Sequence, residues 1–329
     1  MEGIRKRDFA VDIVKFLAVF LIINSHADIM YPTMSVLATG GAIGDCLFLF
    51  VSGYTLFLGK NQIFASYYKR RIQRIFPSVF AALAFVHLVT NNTTFQASEF
   101  TGGEFIVAIM IYYVLLYFIR KYAINHIPKV LGVVTLITLF VYVFWFPYKY
   151  EVSSKGIYGI TTLFRWIPYF AFMLMGAYMG LKFKANAKIK ESAWKNFIIM
   201  TLRIVPFYAI QVLSKKYTFI APYQIVTLVP LMGIVIYFYK WCKSDFLRKI
   251  YEHPFWNKII MLVSGICLES YLIQYSLITD KMNSIWPLNL ILIFFIIIVS
   301  SYLVRCVARF LSQTFEAGDY DWKKIVSVY

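Results

Sequence analysis

The sequence predicts an all-α membrane protein, a bundle of about ten transmembrane helices with both termini in the cytoplasm. Three observations predict it. First, the 329 residues are 60% hydrophobic and 19% aromatic but only 15% charged, with a mean hydropathy of +0.67. A soluble domain is about half apolar and about a quarter charged, so lipid must solvate much of this chain. Second, apolar stretches approaching the roughly 20 residues needed to span a bilayer recur between polar clusters. Third, the net charge of +17, from 33 Lys and Arg against 16 Asp and Glu, concentrates in alternate loops. A basic soluble chain would suggest nucleic acid; this distribution suggests membrane orientation instead.

The expected spans are Phe9 to Met30, Ala38 to Leu58, Phe76 to Val89, Phe105 to Ile119, Val130 to Phe146, Thr162 to Leu181, Phe197 to Leu213, Phe219 to Tyr239, Ile259 to Ile278 and Leu288 to Phe310. The third and fourth are short. With the N-terminus inside, 25 of the Lys and Arg residues fall on the cytoplasmic side and 5 on the outer side, and the loop from Thr90 to Glu104 holds none. That asymmetry follows the positive-inside rule and requires an even number of spans. Arg5, Lys6 and Arg7 ahead of an apolar run superficially suggest a signal peptide. The run is too long, contains Lys15 and lacks a small-residue cleavage site, so it reads as a retained first helix. The chain reads as one transmembrane domain, 1–329, with a short cytoplasmic tail from about 311. Asn91-Asn92-Thr93 fits a glycosylation sequon, which matters only in a eukaryotic secretory pathway. Cys46, Cys242, Cys267 and Cys306 form no Cys-x-x-Cys pair and read as small apolar fillers, so no metal and no disulfide frame is expected.

Ionisable residues inside a bilayer cost about 3 kcal/mol each on insertion scales, so each is a functional candidate. The first span holds Asp12, Lys15 and His26. Lys15 and His26 are eleven residues apart, about three helical turns, so they share a face roughly 16 Å apart along the axis. Asp12 joins that stripe by the i, i+3 step. Two readings stand: a structural Asp-Lys pair with Lys15 snorkelling and His26 at a helix end, or a functional stripe. Asp45 in the second span is a candidate partner for His26, since a carboxylate on one imidazole nitrogen fixes the tautomer and raises the basicity of the other. Ser52-Gly53 reads as a close helix contact through small residues, more than as a nucleophile. In the following loop Lys69, Arg70, Arg71 and Arg74 crowd before Pro77. Arg71 and Arg74 share a helix face, and guanidinium groups suit phosphate; anion binding and contact with anionic lipid both fit. Arg165 opens the sixth span and reads as interfacial or substrate-binding. Glu269, Tyr271 and Gln274 lie in the ninth, where Glu269 and Gln274 must face protein or a cavity.

These segments together resemble acyltransferase family 3, the polytopic acyltransferases of bacterial surface carbohydrates. Lys15 and His26 match the family's Arg/Lys-x10-His signature, with Asp12 at the Asp-x-x-Arg/Lys position. Asp45 to Tyr54 matches its Asp-x-Phe-Phe-x-x-Ser-Gly-Tyr/Phe segment, with Leu47 in place of the first Phe. Arg71, Arg74 and Pro77 match its Arg-x-x-Arg-x-x-Pro segment, and Phe172 to Gly180 resembles a later Phe-x-x-Gly helix. Ser270 to Gln274 resembles its Tyr-Leu-Ile-His segment, with Gln274 where His is common. Lys15 lacks the guanidinium fork, and Gln274 cannot move a proton, so that position suits hydrogen bonding.

The resemblance implies O-acyl transfer, usually of acetyl, from cytoplasmic acetyl-CoA to a hydroxyl of a lipid-linked or cell-surface polysaccharide, in the inner (cytoplasmic) membrane. His26 would be the general base, Asp45 would orient it, and Lys15, held by Asp12, would steady the donor or the oxyanion. An acyl-histidine relay is a variant. Lys69, Arg70, Arg71 and Arg74, with Ser52, would contact the donor, and Arg165, Glu269, Tyr271 and Gln274 the acceptor. Expected partners are the acyl-CoA, the glycan acceptor and lipid, without metal or nucleic acid. A transporter or flippase of a lipid-linked sugar also suits ten helices with intramembrane charges. A glycan polymerase or glycosyltransferase is a third reading, but no acidic metal-binding motif for a sugar donor stands out. The motif series favours the acyltransferase.

Overall fold

The structure is a computed structural model that describes residues 8–59, 62–145, 156–158, 163–185, 192–316 and 318–327. The positive charges of Arg5, Lys6, Arg7, Lys60, Lys149, Lys155, Lys188 and Lys190 lie outside the described residues. Thirteen α-helices and no strand occur among those described: α1 (Phe9–His26), α2 (Gly41–Phe57), α3 (Phe64–Thr90), α4 (Glu104–Tyr122), α5 (Ile127–Phe144), α6 (Trp166–Ala185), α7 (Ala193–Lys216), α8 (Leu228–Cys242), α9 (Asp245–Glu252), α10 (Pro254–Gly265), α11 (Cys267–Leu277), α12 (Leu288–Thr314) and α13 (Trp322–Val326).

Every expected span contains a helix. Among the described residues, eight helices are long and apolar enough to cross a membrane, and nine if α10 and α11 count as one broken span. The sixth expected span, α6, is 20 residues long but is diluted by Trp166, Pro168, Tyr169, Tyr178 and Lys182.

Two elements differ from the sequence expectation. The basic stretch from Lys69 to Arg74 is not a loop. It forms the early turns of α3, which carries Pro77 in its interior. Tyr67 and Ile75 are buried while Lys69, Arg70 and Arg74 are exposed. The stretch is amphipathic, and its charges mask a helix from a hydropathy reading. The ninth span is not straight either: α10 and α11 meet at Ile266 with a 73° bend. Ser264 and Gly265 end α10, and the Cys267 thiol turns back on the Ser264 carbonyl at 3.0 Å. Small residues and side chains that compete for backbone carbonyls are the ordinary causes of such kinks.

The chain divides into two compact units. The first comprises Met1–Val14, Asp45–Lys60 and Leu115–His253. Here α7 packs on α8, α5 packs on α6, and α9 lies against α7 and α8. The Ser52-Gly53 contact read from the sequence is realised between α2 and α6. A Cβ at Gly53 would fall on the Met173 carbonyl oxygen, and one at Gly176 on the Phe50 carbonyl oxygen. Reciprocal glycines let the two backbones touch, which is how helices gain packing where lipid is as apolar as leucine. Gly233 of α8 serves a different end. A Cβ there would collide with the side chain of Arg203, whose guanidinium lies over the Tyr237 ring at 5.4 Å. That accommodates the cation of α7. Arg120 donates to the Leu56 carbonyl at 3.1 Å and to that of Gly59, tying off the end of α2.

The second unit comprises Lys15–Gly44, Asn61–Val114 and Pro254–Tyr329. Its centre is α3 packed on α11 and α12, with Ala81, Ala82, Ile273, Val304 and Ala308 buried between them. The tail folds back on α12. Arg309 donates to the Ile325 carbonyl at 3.2 Å, Tyr302 to that of Val326 at 2.6 Å, and the Phe310 and Tyr320 rings stack at 4.8 Å.

Candidate active site

In the second unit, His26 is the last residue of α1, where a loop of Ala27 to Gly40 turns the chain toward α2. That loop is tied down side chain by side chain. Asn24 donates to the carbonyls of Leu37 at 2.7 Å and Thr39 at 2.9 Å, and accepts from the Tyr31 hydroxyl. Asn289 and Asn283 hold the carbonyls of Met30 and Ile29. Burial pushes the Tyr31 phenol above its ordinary pKa, so it stays a donor. The His26 ring is therefore presented from a fixed helix end. It packs against Tyr275 of α11, centroids 4.4 Å apart.

The same α11 carries Glu269, Tyr271 and Gln274. Glu269 is buried, and one of its oxygens accepts from the Ser78 hydroxyl of α3 at 2.7 Å. Its other oxygen, Oε2, has no hydrogen-bond partner among the described residues, and neither does Oε1 of the fully buried Gln274. Arg305 of α12 faces Glu269 electrostatically. Lys15, Glu269 and Arg305 all lie within electrostatic range of Cys267. The Gln274 amide nitrogen donates to the Tyr271 carbonyl at 3.3 Å, and the Tyr271 ring meets Phe105 at 5.1 Å. The site thus has an imidazole, a buried carboxyl with one oxygen open, an open amide oxygen and two cations. Those are the parts of proton transfer and of charge stabilisation.

On α3 of this unit the four basic residues separate into two kinds. Arg71 is half-buried, with its guanidinium over the rings of Tyr67 at 5.1 Å and Tyr113 at 5.8 Å, while the Tyr67 hydroxyl donates to the Tyr113 carbonyl. Lys69, Arg70 and Arg74 are exposed. The aromatic pair fixes one cation and leaves three available to an anion.

Asp12, Asp45, Ser52 and Arg165 belong to the first unit. Asp12 is buried and accepts from the Tyr251 hydroxyl of α9 at 3.0 Å. Its neighbour Asp8 accepts from Tyr54 at 2.7 Å and Tyr239 at 3.2 Å. Asp45 faces the charge of Arg165. Ser52 is half-buried on α2 beside the Gly53 contact. Asp45 and His26 stand in different units, so their pairing is carried by the motif alone. Among the described residues no group of three or more His, Cys, Asp or Glu is arranged to hold a metal.

A family model described as an acyltransferase domain matches residues 8–308. The chain belongs to acyltransferase family 3. No curated protein and no solved structure matches it. Together with its apolar helices this makes the protein a multi-pass membrane acyltransferase.

Sequence reasoning missed several residues of this acyltransferase. Ser78 sits among small residues of α3 with no sign that it meets a carboxyl 191 positions away. Arg305 counts in the sequence as an orienting cation, but it faces Glu269. Tyr275 is one of 25 tyrosines. Its i+1 position after Gln274 was the available signal, since the resembling segment ends there. His87 of α3 was passed over too. Its two ring nitrogens face the Asn92 carbonyl at 2.7 Å and the Glu99 carboxylate at 3.2 Å, and its ring stacks on Phe95 at 4.1 Å.

Proposed function

We propose that the protein is an O-acetyltransferase that moves acetyl from cytoplasmic acetyl-CoA to a hydroxyl of a lipid-linked or cell-surface polysaccharide, as one transmembrane domain in the cytoplasmic membrane with both termini inside. The observation that carries the reading is the helix end that presents His26 against α11, whose Glu269 and Gln274 keep open oxygens among buried residues. A membrane protein tolerates such groups where they serve chemistry.

His26 takes the proton of the acceptor hydroxyl as the oxygen attacks the thioester carbonyl carbon. The carbonyl oxygen carries negative charge in the tetrahedral intermediate, and the Lys15 ammonium, with Asp12 as its neighbour on the helix and about three turns from His26, steadies the donor away from that oxygen. The C–S bond breaks, the coenzyme leaves as thiolate, and the proton on His26 passes to it. Lys69, Arg70 and Arg74 supply the exposed cations that phosphates of the donor require, with Arg71 as their fixed support and Ser52 as a further donor contact. Glu269, Tyr271 and Gln274 bind substrate through hydrogen bonds, with no proton moved by Gln274. The motif adds Asp45 as the group that orients His26. The charge asymmetry of the loops supports the cytoplasmic origin of the donor.

The test is the ester-linked acetyl content of surface glycans in cells with the wild-type protein, with none, and with His26→Ala. A positioned general base contributes about 100-fold to 10,000-fold, so His26→Ala should reduce acetylation to the level without the protein while leaving its amount in the membrane unchanged. Equal acetyl in all three strains would sink the reading and favour a transporter of a lipid-linked sugar.

A further inference from the structure

His87, near the end of α3 in the second unit, takes no part in the chemistry above. It is 7% exposed, and both of its ring nitrogens are engaged. Nδ1 lies 2.7 Å from the Asn92 carbonyl oxygen, and Nε2 lies 3.2 Å from Oε2 of Glu99. That same Oε2 accepts the Gln96 N–H at 2.8 Å. The face of the ring stacks on Phe95, centroids 4.1 Å apart, although Phe95 is itself exposed. The imidazole thus gathers three separated points of the segment 91–103. The remaining side-chain hydrogen bonds of that segment are local. Asn92 holds Thr94, Thr101 turns back on the Ser98 carbonyl, and Gln96 and Glu99 cap the short 3-10 turn Ala97–Thr101.

The arrangement needs one state of the ring. A carbonyl oxygen only accepts, so Nδ1 carries a hydrogen. A backbone N–H on the Glu99 oxygen favours the carboxylate, which also only accepts, so Nε2 carries a hydrogen as well. Taking the hydrogen from Nε2 sets a lone pair against a carboxylate oxygen. Taking it from Nδ1 sets a lone pair against a carbonyl oxygen. Either neutral tautomer loses one of the two bonds, and the stack on Phe95 weakens with the charge. Other charges stand apart. In the 3-10 turn packed on α3, Glu99 is the charged residue. The helices α11 and α12 bring Glu269, Arg305 and Arg309 toward α3. These three gather about Glu269, which meets α3 at Ser78, roughly 13 Å along the helix from His87.

We propose that His87 is a pH-operated latch on the segment 91–103, closed while the ring holds both hydrogens and released when it gives one up. Imidazole is the side chain whose proton equilibrium lies nearest neutral pH, so ordinary surroundings can work such a latch. The far end of the segment matters to the rest of the unit. Gly102, at φ +77°, sits against the Val79 side chain, next to the Ser78 that holds Glu269. Release withdraws that packing from the turn of α3 that carries Ser78. On the topology proposed above, the latch faces outward. Its working is independent of that topology and of the acyl-transfer reading.

The experiment is hydrogen exchange on the full chain in lipid nanodiscs, from about pH 5.5 to about pH 8.5. Protection factors of the amides in 91–103, taken relative to intrinsic exchange at each pH, should fall as the pH rises through the imidazole range. The fall should be about tenfold or more, the worth of one hydrogen bond to a charged group. Those of α12 should stay level as an internal reference. His87→Gln removes the titrating ring, and Glu99→Gln removes its charged partner. In each, protection of 91–103 should be low and flat across the range. Glu99 is half-exposed, so Glu99→Gln keeps the test open even where the buried His87→Gln fails to fold. Level protection in the wild type overturns the latch. A pH step that persists in His87→Gln or in Glu99→Gln overturns it too, because another titrating group would then hold the segment.

Discussion

The carboxylates of the first unit and the buried carboxyl of the second are treated differently by their surroundings. Asp8 receives two phenol hydroxyls and Asp12 receives one, from residues as distant in sequence as Tyr239 and Tyr251. Glu269 receives the Ser78 hydroxyl on one oxygen and leaves the other open, with a cation facing it. A charge or dipole in a low-dielectric interior is costly until its hydrogen bonds are made. The difference therefore separates groups that anchor helices from a group kept available. Burial alone does not make that distinction, since Asp12 and Glu269 are both buried.

The largest effect expected in this comparison involves no carboxylate. Gly176→Ala would drive a methyl into the Phe50 carbonyl, and no side-chain rotation relieves a clash with backbone. We expect overpacking of about 3 kcal/mol or more, read as loss of folded protein by detergent-resistant gel filtration. A normal yield would show that α2 and α6 part easily, and the anchoring role of the first unit would weaken.

Next comes the paired substitution that sharpens the contrast itself. Glu269→Gln keeps an oxygen for Ser78 but turns the open oxygen into an amide donor, so substrate binding should weaken and transfer at low substrate fall about tenfold, the worth of one hydrogen bond, with little change in thermal midpoint. Tyr251→Phe should do the opposite. It should cost about 1 kcal/mol of stability, the worth of one hydrogen bond, and leave transfer within about twofold. Equal losses of stability from both would erase the distinction between anchoring and available carboxylates.

The smallest effect is local and depends on pH. Glu99 lies outside the helical spans, where the backbone N–H of Gln96 holds its carboxyl below the ordinary carboxylate range, with the hydrogen bond from His87 adding to it. A depressed pKa means that the contribution to loop stability is complete above the unfolded value, about 4.3, and is lost as pH falls through the folded one. Protection factors of the amides in the segment 91–103, taken relative to intrinsic exchange at each pH, should therefore fall below about pH 4 in the wild type. In Glu99→Gln those protection factors should be low already at neutral pH, with little further change on acidification. A flat profile in the wild type would show that the loop is held by something other than this carboxylate.

Much of this fold was legible in advance, for a physical reason. Lipid demands long apolar segments, and such segments announce themselves in a sequence whatever their partners. That Asp12, Lys15 and His26 lie on one helix was legible for the same reason, since each is an exception within an apolar run. What the sequence hid were features set by distant partners or by amphipathic surfaces. The early turns of α3 carry Lys69, Arg70 and Arg74 and so look like a loop, although Tyr67 and Ile75 anchor them. Ser78 gains meaning only from Glu269, and His87 only from the acceptors around it. Arg305 is indistinguishable by composition from a cation that merely sets orientation.

The bend at Ile266 also changes the electrostatics of the chain. A helix that runs unbroken through a span carries the partial charges of its aligned peptide dipoles only at its two ends, about half an elementary charge each. Breaking it gives α11 a start of its own, where backbone N–H groups point outward without helical acceptors. Glu269 stands in that first turn. The ninth segment thus brings positive potential to its own carboxyl from the peptide backbone, within the stretch that would otherwise be its most featureless part.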